Sequence, residues 1–224
     1  MNRVLCVFAH PDDESFGPGG TINLLAKTHE VYLICVTNGD AGKNSVSGSK
    51  SPLGKIRQNE LRNSSKFLGT KKVFFLNYPD GSLNNLQYHE IADKIKTISD
   101  QLKPEILMTF EPRGVSGHLD HIAVSMITSY VFERLDYAKK LMYFCISREQ
   151  SSKFGEYFIY RPEGYEAKDI HETVDISAVR EIKTKSMYMH KSQIHDAERI
   201  IRLFGNFTKE HFLVWIKEKN SSET

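Results

Sequence analysis

Two short clusters in this chain carry the residue types of a metal site. His10-Pro11-Asp12-Asp13-Glu14 closes an apolar run over residues 4–9, and His118-Leu119-Asp120-His121 follows the apolar run Ile106–Phe110. A catalytic divalent ion such as zinc takes three protein donors and keeps a fourth position for water. His10 and Asp13 lie three apart where a strand turns toward a helix, so both can aim at one ion, and His121 supplies a third donor from the neighbouring loop. An ion held this way lowers the pKa of a bound water from about 15.7 toward about 7, which makes a nucleophile at neutral pH. Asp12, between the two first-loop donors, is placed to act as general base. His118 can stabilise a developing oxyanion as an imidazolium, and Asp120 can orient one of the imidazoles.

Either cluster alone carries little weight, because His-Pro-Asp is usually a turn and His-x-x-His often a surface coincidence. Their joint placement at two predicted strand ends is what points to a metal. Two His and one carboxylate also fit the facial triad of non-haem iron oxygenases, but that chemistry leaves Asp12 and His118 without a task. A non-catalytic sugar- or nucleotide-binding module needs no acid or base beside an open metal position. Gly17-Pro18-Gly19-Gly20 does not fit a dinucleotide fingerprint, because Ile22 stands where the third glycine belongs. It reads instead as a tight turn into a helix. Arg57 and Glu60, at i and i+3, read as a surface ion pair, and Asp80 in Pro79-Asp80-Gly81 as ordinary turn chemistry.

The elements that must position these residues alternate. Continuous apolar runs at 4–9, 31–37, 73–76 and Ile106–Phe110 predict strands buried on both faces. Residues 21–27, 55–68 and Tyr88–Leu102 predict helices; the second is capped by Gly69 and the third stopped by Pro104. A helix over 121–135, a strand over 141–146, a short strand at 173–176 and helices over 178–190 and 196–204 follow. The alternation predicts an α/β fold: a Rossmann-like, doubly wound, mainly parallel sheet with helices on both faces. Residues 1–125 form its regular core and 147–224 a less regular part of a single domain, with a frayed tail over 217–224. Ligands bind beyond the carboxyl ends of such strands, where His10–Glu14, Asn38–Asp40, Pro79–Gly81 and Glu111–His121 all fall. Residues 40–54, rich in Gly, Ser and Lys, predict a lid over that rim.

Composition narrows the class. With 224 residues, 40% hydrophobic and 26% charged, the chain can bury a core without disulfides. A net charge of +2 argues against nucleic acid or an anionic membrane as partner. Cys6, Cys35 and Cys145 sit in apolar runs without metal-ligand spacing and read as buried thiols, which suits a reducing cytoplasm. No stretch reaches the roughly 18 apolar residues of a membrane span, and the first residues lack the layout of a signal peptide.

Ala9-His10-Pro11-Asp12-Asp13-Glu14, with Gly17 and Gly19-Gly20-Thr21, resembles the signature of the LmbE-like, or PIG-L, zinc-dependent N-deacetylases. Thr37-Asn38-Gly39-Asp40, Arg57-x-x-Glu60, Asp80-Gly81, Gly114-Val115-Ser116-Gly117-His118-x-x-His121, Val174-Asp175-Ile176 and Lys183…His190-x-x-Gln193 are similar to further family segments. The resemblance implies a hydrolase that removes acetyl from an N-acetylglucosamine-type amine. It places one zinc per chain, or another divalent ion, on His10, Asp13 and His121. It makes Asp12 the base and His118 the oxyanion-stabilising or acid residue, and puts Arg57 and Asp80 in contact with substrate. Members of the family often associate, so a homo-oligomer is expected. Two positions depart from the pattern: Leu119 stands where many members have proline, and Ser116 where the mycothiol-pathway deacetylase has tyrosine.

Overall fold

The computed structural model describes residues 1–46, 50–154, 160–205 and 207–217. Seven strands form one sheet in the order β3-β2-β1-β4-β5-β7-β6: β1 (Arg3–Phe8), β2 (Glu30–Thr37), β3 (Lys72–Tyr78), β4 (Ile106–Phe110), β5 (Lys140–Cys145), β6 (Glu172–Asp175) and β7 (Lys209–Ile216). β1 to β5 pair in parallel. β7 runs antiparallel to both β5 and β6. β1 lies at the centre, and residues 4–9 are wholly buried, as a strand covered by helices on both faces requires.

The helices are α1 (Asp13–Phe16), α2 (Gly19–Leu25), α3 (Leu53–Leu68), α4 (Tyr88–Leu102), α5 (Gly114–Gly117), α6 (Leu119–Glu133), α7 (Arg148–Ser152), α8 (Arg180–Tyr188) and α9 (Ile194–Phe204). Gly69 ends α3 in the left-handed region at φ 95°, its N–H donating to Ser65 and Lys66 carbonyls, as its lack of a side chain allows. α2 starts at Gly19, two residues before its expected start. Gly20 permits this, because a Cβ there would come within 2.7 Å of Ile176.

The sheet thus follows the expected fold, with one element that the sequence reading did not contain. β7 was missed because only alternate residues are deeply buried: Glu210 and Phe212 are, whereas His211, Leu213 and Val214 are half-buried and Trp215 is exposed. A buried glutamate at a core-facing position breaks the apolar signature. β7 draws the less regular half of the chain into the same sheet as the first 125 residues. Of the expected frayed tail, residues 218–224 lie outside the described residues. All three cysteines are buried free thiols, and among the described residues no helix is long and apolar enough to cross a membrane.

Candidate metal centre and active site

The β1 and β4 ends flank the point where chain connections leave the sheet in opposite directions, the usual crevice of doubly wound sheets. Beyond β1 the backbone turns at once: the Asp12 and Asp13 N–H groups both donate to the His10 carbonyl, at 3.0 and 3.4 Å. The His10 N–H returns the contact to Asp13 Oδ2 at 2.6 Å. This knot brings the Asp13 carboxylate to the side of the His10 ring. From beyond β4, His121 on the first turn of α6 faces both. His118 is the N-cap of α6, its Nδ1 accepting the Asp120 N–H at 3.1 Å.

Three donor atoms converge. His10 Nδ1 lies 3.1 Å from His121 Nε2 and 3.6 Å from Asp13 Oδ2, and His121 Nε2 lies 3.3 Å from Asp13 Oδ1. Ligands about 2.0–2.1 Å from a tetrahedral ion are themselves about 3.3 Å apart, so this donor set fits zinc in spacing and in chemistry. His118 belongs to the same neighbourhood: donor atoms of His10, His118 and His121 fall within 4.8 Å of one another, as do those of His10, Asp80, His118 and Asp120. In the second grouping the carboxylates already have tasks. Asp120 accepts the N–H groups of Gly81 and Leu83 at 2.8 and 3.2 Å, and Asp80 lies 3.6 Å from the Arg57 guanidinium.

The other ring nitrogen of His10 is turned to these carboxylates, 3.0 Å from Asp80 Oδ1 and 3.3 Å from Asp120 Oδ2. His121 Nδ1 is 3.1 Å from the Gly114 carbonyl. Each imidazole therefore has one nitrogen fixed by an acceptor and the other aimed at the shared point, the arrangement that orients metal-binding histidines. Burial opposes charge on His10, but the hydrogen bonds to Asp120 and Asp80 and the charge of Asp13 push its pKa up to about 10. The surroundings call for a cation. Asp13 is held below the usual carboxylate range: burial opposes this, and the charges of His121 and His10 outweigh it.

Asp12 points elsewhere. Its Oδ2 accepts from Arg57 Nη2 at 2.9 Å, while burial and the charge of Asp13 raise its pKa despite Arg57. Arg57 is only 4% exposed and also donates to the Gly39 carbonyl at 2.8 Å. The expected surface pair with Glu60 is not what forms. Glu60 instead accepts the Ser192 N–H and hydroxyl at 2.8 and 2.6 Å, because α3 is covered by the first loop on one side and by residues 191–193 on the other. His118 also differs from the imidazolium expected of it: burial and the charges of His10 and His121 lower its pKa to about 4. With Nδ1 an acceptor, its neutral ring carries the proton on Nε2.

Several groups that brace the site carried no signal in sequence. Glu14 is 1% exposed and accepts from Ser15, Ser64 and His190 at 2.7, 2.5 and 2.9 Å. Glu111 accepts the Val115 N–H at 2.8 Å and the Tyr165 hydroxyl at 2.6 Å. Glu210 caps α2 by accepting from Gly20 and Thr21 N–H at 2.9 and 2.7 Å, so the glycine-rich turn has no donors left for a phosphate there. The Glu14 in the first cluster and the expected 178–190 helix were the available hints, but their contacts span far too much sequence to be read locally.

A cavity of about 340 Å³ opens beside the cluster and is lined by His10, Asp12, Asp13, Arg57, His118 and His121 among others. Residues 40–46 reach its rim, tied there by Gln193 Nε2 to the Lys43 carbonyl at 2.8 Å and by Ser45 N–H to the Ser192 carbonyl at 2.8 Å. Of the expected lid, residues 47–49 lie outside the described residues.

A sequence profile of the family described as GlcNAc-PI de-N-acetylase (PIG-L) matches residues 5–132, more than half of the chain, and the chain belongs to that family. It is 28% identical to the 1D-myo-inositol 2-acetamido-2-deoxy-alpha-D-glucopyranoside deacetylase of Saccharomonospora viridis, with 85% of each chain covered. It is 30% identical to the diacetylchitobiose deacetylase of Thermococcus kodakarensis, over 86% of this chain and 70% of that one. Among solved structures, the N,N'-diacetylchitobiose deacetylase of Pyrococcus horikoshii superposes with a TM-score of 0.74 at 23% identity, covering 96% of this chain and 84% of that one. The 4-carboxy-2-hydroxymuconate hydratase of Pseudomonas putida does so with a TM-score of 0.72 at 15% identity, covering all of both. At such identities the likeness is one of fold, and this fold hosts more than one reaction.

Proposed function

We propose that this N-deacetylase releases acetate from an N-acetylglucosamine-type amino-sugar conjugate, with one zinc ion per chain held by His10, Asp13 and His121 and with Asp12 as general base. The observation that carries the reading is the triangle of donor atoms at 3.1, 3.3 and 3.6 Å beside the buried Asp12. The ion, when bound, supplies Lewis acidity to the amide carbonyl and acidity to a water. Asp12 takes the proton of the attacking water and delivers it to the departing amine. Its raised pKa eases proton uptake, and Arg57 keeps the carboxylate oriented. The His118 Nε2–H donates to the oxygen on which negative charge develops. Asp80 and Asp120 hold the His10 ring in place, and Arg57 and Asp80, at the cavity wall, are the groups assigned to sugar hydroxyls. Relatives named for amino-sugar substrates support the substrate class, and three buried free thiols support a cytoplasmic setting.

The test joins metal content to product. Purified protein should carry stoichiometric zinc and release acetate from at least one member of a panel of N-acetylglucosamine conjugates. His121→Ala should lose most of both. Full zinc retention in that variant would overturn the ligand assignment. Iron with oxygen uptake in place of zinc with acetate would establish the oxygenase chemistry instead.

A further inference from the structure

The cavity does not end at the metal cluster. It continues past the ends of β5 and β7 and beneath α9, where its wall changes from polar to apolar: Phe144, Ile146, Phe154, Ile200, Phe204 and Phe207 line it. Phe154 meets Phe204 edge to face, with ring centroids 4.9 Å apart, which makes a rigid aromatic corner. None of these six is deeply sunk in the core; Phe144 is 9% exposed and the other five are half-buried.

α9 supplies a second, independent observation. Its sequence, Ile194-His-Asp-Ala-Glu-Arg-Ile-Ile-Arg-Leu-Phe204, has an apolar stripe at helical spacing, the pattern of a helix that lies on a core. Yet Ala197 is its only buried residue. Ile200 and Phe204, one turn apart on that stripe, face the cavity, and among the described residues no core side chain fills the space between them and the sheet. Partly exposed aromatic residues gathered around one concave space, continuous with a polar reacting centre, are the usual make-up of a small-molecule site.

Resting on the deacetylase reading, we infer that this half of the cavity is a subsite for an apolar aglycone: an aryl or alkyl group carried by the amino sugar away from the reacting amide. The polar half, with Arg57, Asp80 and the His/Asp cluster, takes the sugar and its N-acetyl group. The aromatic half removes the aglycone from water and fixes the register of the amide against Asp12. An occupant on the acyl side, or a second protein, would enter without this continuity with the sugar-binding half.

The experiment compares acetate release from free N-acetylglucosamine, its phenyl and alkyl β- and α-glycosides, and N-butyryl and N-hexanoyl glucosamine. Calorimetry follows the binding of the phenyl glycosides. The wild-type protein should favour a phenyl or long-alkyl glycoside over the free sugar by roughly tenfold or more in kcat/KM, as one well-filled apolar pocket allows. Phe204→Ala and Ile200→Asn should each remove most of that preference while leaving the rate on the free sugar unchanged, with circular dichroism confirming the fold. Equal kcat/KM on glycosides and free sugar overturns the subsite. So does a preference for the longer N-acyl chains, which would place the acyl group there. Failure of the deacetylase reading looks different: no acetate from any substrate. In that case phenyl-glycoside binding that is weakened by Phe204→Ala still supports the subsite, and binding that is absent or indifferent to Phe204→Ala overturns it.

Discussion

His10 uses both faces of its imidazole. Nε2 is held by Asp80 and Asp120 while Nδ1 meets His121 and Asp13, and Asp12, one residue from Asp13, is turned instead to Arg57. Adjacent aspartates thus have different partners and different protonation behaviour, Asp13 lowered and Asp12 raised. Asp12→Asn should therefore keep the metal, measured by elemental analysis, and lose about 10²–10⁴ in rate, the usual share of a general acid–base group. Near-normal turnover would remove Asp12 from that role. His118→Ala should lower kcat by about 10²–10³ if its Nε2–H serves as an oxyanion donor. A change confined to KM would assign it to ground-state binding instead. At this scale the sequence was readable where donors sit within a few residues of each other, as His10 and Asp13 do. It misled where partners are distant: Arg57 was read beside Glu60, three positions away, yet it binds Asp12 and Asp80 from other loops.

The element that connects β4 to α6 stores strain. Val115 has φ 62° and ψ −55°, a conformation that a β-branched residue adopts at a cost of about 1–3 kcal/mol. Glu111 keeps it there: one oxygen accepts the Val115 N–H, and the other takes the Arg113 N–H at 2.9 Å and the Tyr165 hydroxyl. The preceding carbonyl, that of Gly114, is the acceptor for His121 Nδ1, so the turn sets the ring of a proposed ligand. Glu111→Gln should weaken metal retention by about 10–100-fold, the typical cost of disturbing groups behind a ligand, measured by competition with a chelator. Unchanged retention would mean that the turn holds itself. Strands β1 to β5 and most helices were legible because their residues repeat at the period of the element they form. This turn and β7 were not. The first depends on a carboxylate in the middle of an apolar-flanked loop, and the second on a buried glutamate whose partner is 27 residues away.

That partner is Lys183 on α8, 2.6 Å from Glu210 with both side chains buried. Its ammonium also donates to the Gly17 carbonyl at 2.5 Å, while Glu210 caps α2. One ion pair thereby joins the last strand, a late helix and the loop just after Asp13. Lys183→Ala should cost about 3–5 kcal/mol, since it strands a buried carboxylate, read from urea unfolding. A loss below 1 kcal/mol would show that the helix cap alone satisfies Glu210. The position of β7 in the sheet has a consequence in time. The strand that fills the slot between β5 and β6 is the last of the seven to be synthesised. At about 5–20 residues per second, the front of the chain has waited several seconds for it. Until residue 210 arrives, β6 has no neighbour and the loop that carries His10, Asp12 and Asp13 lacks its anchor. A nascent or truncated chain would thus hold every proposed ligand and still be inert, so that hydrolytic power is switched on only when translation of the sheet is complete.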